Sequence, residues 1–292
     1  MLLRDRAQAG LIHATARFSV RYGNNLRFAG ADLPKPATVR IATRHGRVPV
    51  HVYRPRDPAG RLSPVHIHFH GGAWLMRFPQ MDDWWCRYLV ATAGVAVLNV
   101  DFRTGPYVAY PVAQEQCHDV VAHVAASGPE LGLDPLRISV GGFSSGGGLA
   151  ASVCLQTRDA GTARPVLQVL GVPALDLAGE LPEATSMISR SFRDLVRRVY
   201  FPDPATRSHP YASPLLAPDL SGLPPAVVCT AELDSLRADG DRYAARLGQA
   251  GVPVQHDVTP GVDHYFLTQD PGRARQTMAM IAAAIAGAAP PA

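Results

Sequence analysis

The chain has 292 residues, 47% hydrophobic and 18% charged, which is enough to bury a large core and too apolar for a disordered protein. Its formal charge of +4 includes no run of like charges and no basic stripe interleaved with aromatics, so a nucleic-acid-binding surface is not expected. Cys86, Cys117, Cys154 and Cys229 are far apart without a CxxC pair. Three of them sit in apolar or helical stretches and read as small core residues, and a reducing cytoplasm is the expected setting.

In chain order, the opening MLLRDRAQAG is charged by position 4 and has no apolar run of signal-peptide length. No stretch reaches the roughly 18 uninterrupted apolar residues of a membrane span. Two β-patterned runs between Ala37 and Arg54 flank His45-Gly46, which predicts a hairpin. VHIHFH (Val65 to His70) is a third strand, stopping at Gly71-Gly72. Asp82 to Ala93 suits a helix, and VAVLNVD (Val95 to Asp101) is a continuous apolar run of the buried parallel type. A helix follows from about Pro111 to Ser127, then the strand RISVGGF (Arg137 to Phe143) and a small-residue helix through Leu155. VLQVLGVPAL, PAVVCTAE and VQHDVTP are three further strands; the helix Arg237 to Ala250 separates the last two, and a final helix begins near Pro271.

Strands and helices thus alternate after the hairpin, predicting one α/β domain over 1–292, a mainly parallel sheet with helices on both faces. Residues 1–36 and about 178–211 stand outside the alternation and are expected to form a small helical cap. The second segment follows a strand's carboxyl end, where such sheets bind ligands. The Ala/Pro-rich last residues are expected to fray.

Gly142-Phe143-Ser144-Ser145-Gly146 fits G-x-S-x-G. Between a strand and a helix start, this is the elbow that presents a serine on a tight turn. Ser145 is a rival nucleophile, but the residue two before it is Phe143 rather than glycine. His70-Gly71-Gly72-Ala73-Trp74 follows its strand directly, and its small residues can aim N–H groups at an oxyanion, with one more from Ser145. A base and an acid must come later in the chain. Of His209, His256 and His264, the first lies in the expected cap and the second inside a strand pattern. His264 occupies a loop between strand and helix and is the candidate base. Asp234, just past the PAVVCTAEL strand, is the candidate acid. Asp239 and Asp241 fall within a helix and read as solvated, and Asp263 is adjacent to the base.

HGGAW, the GFSSGG elbow, AELDSLRADGDRYA and GVDHYF, four motifs in order, resemble the hormone-sensitive-lipase-like esterases, the bacterial branch of the α/β hydrolases. The likeness runs from about Val65 to the C-terminus. It implies the α/β-hydrolase fold, the triad Ser144, Asp234 and His264, and an oxyanion hole from the amides of Gly71, Gly72, Ala73 and Ser145. It further implies no cofactor and no metal, a small-molecule ester substrate of short to medium acyl chain, and a homodimer as a common state. Four positions depart from the family pattern: Phe143 replaces an acidic residue, Ser145 an alanine, Ala73 the third loop glycine, and Tyr265 the glycine after the histidine. The backbone chemistry survives all four changes.

Three other readings stand beside this one. The same triad serves an amidase, lactonase or deacetylase. The fold also carries non-catalytic binding proteins. His66, His68 and His70, alternating on one strand face, suggest a metal hydrolase, though no carboxylate or cysteine set accompanies them in the sequence.

Overall fold

The computed structural model describes residues 2–19, 24–56, 61–180 and 186–289. Parts of both expected cap segments (residues 20–23 and 181–185) and the last three residues of the Ala/Pro-rich tail lie outside the described residues.

The hairpin is β1 (Ala37–Thr43) and β2 (Gly46–Tyr53), antiparallel with Thr43 opposite Gly46. Next come β3 (Ser63–Phe69), β4 (Ala96–Val100), β5 (Leu133–Phe143), β6 (Leu167–Gly171), β7 (Ala226–Ala231) and β8 (Val254–Thr259). One eight-stranded sheet results, in the order β1-β2-β4-β3-β5-β6-β7-β8. Only the β1–β2 and β2–β4 pairings are antiparallel. This is the expected α/β-hydrolase architecture.

Every residue of β4, β6 and β7 is buried, because helices cover both faces of the sheet. The period of two sorts the side chains. Val65, Ile67 and Phe69 of β3 enter one core, shared with α3 (Val112–Ser127), α4 (Ser145–Ala160) and α6 (Arg237–Gln249). Val97, Val169 and Val227 face the other, built with α2 (Asp83–Ala93) and α8 (Pro271–Gly287).

Two elements have no counterpart in the predicted strand–helix alternation. α1 (Leu3–Ser19) precedes the sheet, and α5 (Arg190–Val199) follows β6. They are tied together by Arg198, whose guanidinium donates to the buried Asp5 carboxylate at 3.0 Å. Both helices lie in the segments expected to form a helical cap, whereas a short helix, α7 (Phe266–Gln269), escaped the sequence reading.

In a parallel sheet all carboxyl ends share one edge. Here that edge gathers the His70–Trp74 loop after β3, Ser144 after β5, Asp234 after β7 and His264 after β8. Residues far apart in the chain therefore meet at one place.

Candidate active site

β5 turns into α4 at Ser144 with φ +57° and ψ −120°, a backbone conformation that side-chain-bearing residues rarely adopt. The turn is locked from three directions. The Ser144 amide donates to the Gly171 carbonyl at 2.8 Å, and its carbonyl accepts from Gly148 and Ala174. Gly146 is required by close approach, because a Cβ there would overlap the Phe69 carbonyl at the end of β3. That intimate contact brings the loop after β3 beside the elbow, where a Cβ on Gly71 would lie 3.2 Å from the Phe143 carbonyl.

The loop itself is strained. Gly72 (φ +105°), Ala73 (φ +56°) and Trp74 (φ +54°) are successive left-handed residues, and the Gly72 carbonyl accepts from Leu75 and Met76. Among the described residues, no acceptor takes the amides of Gly71, Gly72 or Ala73. The amide of Ser145, in the first turn of α4, likewise has no intrahelical acceptor. His70 braces the loop from below: its ring stacks on Phe102 with centroids 4.2 Å apart, and Nδ1–H donates to the Gly71 carbonyl at 2.7 Å. Burial pushes the pKa of His70 down to about 4, so the ring stays neutral.

Asp234 and His264 form a buried pair, with His264 Nδ1 2.7 Å from Asp234 Oδ2. The other carboxylate oxygen accepts from the Leu236 amide at 3.0 Å, which fixes its orientation. Nδ1–H donating to a carboxylate leaves Nε2 as the basic nitrogen. His264 and Ser144 both line a cavity of about 690 Å³, together with Gly71, Gly72 and Ala73. A second cavity, of about 910 Å³, meets the first at Ser144 and Ala73 and is bounded by α5 and α6. Ala73, Trp74, Ser144 and Val172 are the only non-glycine residues with positive φ among the described residues, and each borders one or both cavities. Strain collected in this way marks a functional region.

The remaining candidates fall elsewhere. His209 is bound to the Tyr110 hydroxyl at 3.0 Å, and His256 is exposed on β8, paired with Asp241. Asp263 accepts from Ser186, Met187 and the His264 amide, tying down the loop that carries the imidazole. Asp239 corrects the sequence reading. It is half-buried in the second cavity's wall, accepts from the amides of Leu175 and Asp176, and is pushed up to about 6 by desolvation. The helical pattern could not reveal this, because the loop that covers Asp239 comes from 64 residues away.

The histidine row on β3 is also better furnished than its sequence suggested. A carboxylate does accompany it: Asp82 meets His68 at 2.8 Å, both fully buried. His66 pairs instead with the Ser139 hydroxyl at 2.9 Å. Among the described residues no group of three or more His, Cys, Asp or Glu side chains is arranged to hold a metal ion.

A strained serine turn at the carboxyl edge of a mainly parallel sheet, beside a buried Asp–His pair, points to the class: an α/β hydrolase. Residues 66–268 match the alpha/beta hydrolase fold family. The chain is 33% identical over 253 residues to an arylesterase of Saccharolobus solfataricus, covering 84% of this chain and 81% of that one. It is 33% identical over 235 residues to an ethyl acetate hydrolase of Pseudomonas putida, covering 78% and 74%. Among solved structures, a hyperthermophilic esterase from the archaeon Pyrobaculum calidifontis is similar with a TM-score of 0.89 at 32% identity, covering 98% of this chain and 93% of that one. The chain belongs to the α/β-hydrolase family, in its hormone-sensitive-lipase-like branch, and is a carboxylic ester hydrolase.

Proposed function

We propose that this esterase cleaves small carboxylic esters of short to medium acyl chain through an acyl-enzyme on Ser144, with His264 as base and Asp234 as its orienting acid. The observation that carries the reading is the buried Asp234–His264 pair opening onto the same cavity as the strained Ser144. His264 Nε2 takes the Ser144 proton as Oγ attacks the ester carbonyl. The oxyanion is held by the amides of Gly71, Gly72, Ala73 and Ser145; losing one such donor typically costs about 3 kcal/mol of transition-state stabilisation. Asp234 fixes the imidazole tautomer and stabilises its charged form. The C–O bond to the alcohol then breaks, and the imidazolium gives its proton to the departing oxygen. Water, deprotonated by the same nitrogen, attacks the acyl carbonyl and restores Ser144.

The Arg198–Asp5 tie supports α1 and α5 as one small cap over the site. Four buried free cysteines support a reducing, cytoplasmic setting, and the place of β8 at one edge of the described sheet supports a homodimer, checked by the mass in solution.

The test is a series of p-nitrophenyl esters from acetate to decanoate beside one amide and one lactone, with Ser144→Ala as control. Ester turnover, highest for acetate to octanoate and lost in Ser144→Ala, is expected. Undiminished turnover by that variant refutes the nucleophile, and faster cleavage of the amide or lactone refutes the substrate class.

A further inference from the structure

The two cavities that meet at Ser144 are both largely apolar, but among the described residues only one of them carries charged side chains. The first is walled by Met76, Met81, Trp84, Phe143, Tyr265 and Phe266, and among the described residues no Asp, Glu, Lys or Arg lines it. The second mixes apolar Trp74, Leu177 and Val196 with charged Asp176, Arg193 and Asp239. His264 opens onto the first cavity and not onto the second.

That last difference orients the substrate. The proton that leaves with the alcohol comes from the imidazole, so the alkoxide oxygen must face His264 when the C–O bond breaks. The alcohol half of the ester then extends into the cavity that contains His264. The acyl carbon, bonded to Ser144 Oγ, points its chain the other way, between α5 and α6.

We propose that this enzyme selects esters whose alcohol half is an apolar aromatic group, that the acyl half lies in the second cavity, and that Phe143 is the principal specificity-determining residue. The inference rests on the triad reading above. Phe143 is next to the nucleophile, 7% exposed, and held rigid by aromatic neighbours. Its ring stacks on Trp84 at 6.2 Å and meets Trp85 edge-on at 5.6 Å. A flat, preorganised aromatic floor favours a ring in the alcohol over a flexible polar group. Met76 and Met81 supply adaptable sides around it. The second cavity is less suited to a ring, because a phenyl group placed there would displace water from the half-buried Asp176, Arg193 and Asp239 without replacing their hydrogen bonds.

A pair of isomers separates the two halves. Benzyl acetate carries its ring on the alcohol and methyl phenylacetate carries it on the acid, and the two alcohols released are of similar acidity. The ratio of kcat/KM for benzyl acetate to that for methyl phenylacetate is expected to be ten or more, and a ratio below ten overturns the proposal. Phe143→Ala and Phe143→Asp are each expected to lower that ratio at least fivefold. Both substrates are assayed on one preparation, so any unfolded fraction cancels, and Phe143→Ala keeps the test open should the buried carboxylate of Phe143→Asp prevent folding. An unchanged ratio in the variants refutes the role of Phe143. Ser144→Ala assayed on the same two esters separates the layers: retained turnover refutes the triad reading itself, whereas lost turnover with a low wild-type ratio refutes only the substrate assignment.

Discussion

Ser144 sits where glycine would be more comfortable. At φ +57° its Cβ is strained by roughly 1–3 kcal/mol, and three backbone hydrogen bonds hold it there. Replacing Ser144 by glycine removes the strain but adds freedom to the unfolded chain, a cost of about 0.4–1 kcal/mol. The net expectation is a gain of about 1 kcal/mol for Ser144→Gly with loss of ester turnover. Ser144→Ala keeps its Cβ and so gains little. Urea unfolding with an unchanged m-value checks this, and equal midpoints for the two variants would show that the elbow stores no strain. Ser144 and His264 were legible in the sequence because each lies in a short motif at an element boundary. Asp239 was not. Its surroundings come from the loop after β6, and no local pattern records that a distant backbone will cover one face of a helix.

At the scale of elements, the site depends on how tightly β3 and the β5–α4 elbow approach. Gly146 sits against the Phe69 carbonyl, and Gly142 against the same atom. A methyl group at position 146 has a rigid strand carbonyl to displace, not a flexible side chain. Gly146→Ala is therefore expected to destabilise the fold by about 1–3 kcal/mol. It should also lower kcat/KM at least a hundredfold, because the displaced strand carries the His70–Trp74 loop away from Ser144. Thermal unfolding beside ester kinetics measures both, and a variant of native stability and rate would show that the close approach is dispensable. The strands that frame this contact were readable from their apolar runs and glycine stops, and the helices from their spacing. A helical cap was expected over residues 1–36, but what α1 packs against was not legible. Its partner α5 lies almost two hundred residues away, and the Asp5–Arg198 pair that joins them leaves no trace in either local sequence.

For the whole molecule, buried titratable groups make stability depend on pH in two opposing ways. His66 and His70 are held neutral by burial, with pKa values below the ordinary histidine range. In acid the unfolded chain binds protons that these rings refuse, so stability is lost as pH falls below about 6.5. Asp239 works in the opposite sense. With its pKa raised from 3.8 to about 6, the native state binds the proton more tightly, and the stability this supplies below about pH 4 is lost as pH rises through 6. Asp239→Asn keeps an oxygen to accept from the Leu175 and Asp176 amides but cannot ionise. From pH 4 to pH 7 the variant should therefore gain on the wild type by on the order of 2 kcal/mol, most of it between pH 4 and 6. Urea midpoints at half-unit pH steps would show the difference curve rising and levelling off above 6. A flat difference would mean that the Asp239 carboxylate is as well solvated in the fold as in the unfolded chain. The wall between α5 and α6 would then hold a full charge at every pH where the enzyme works.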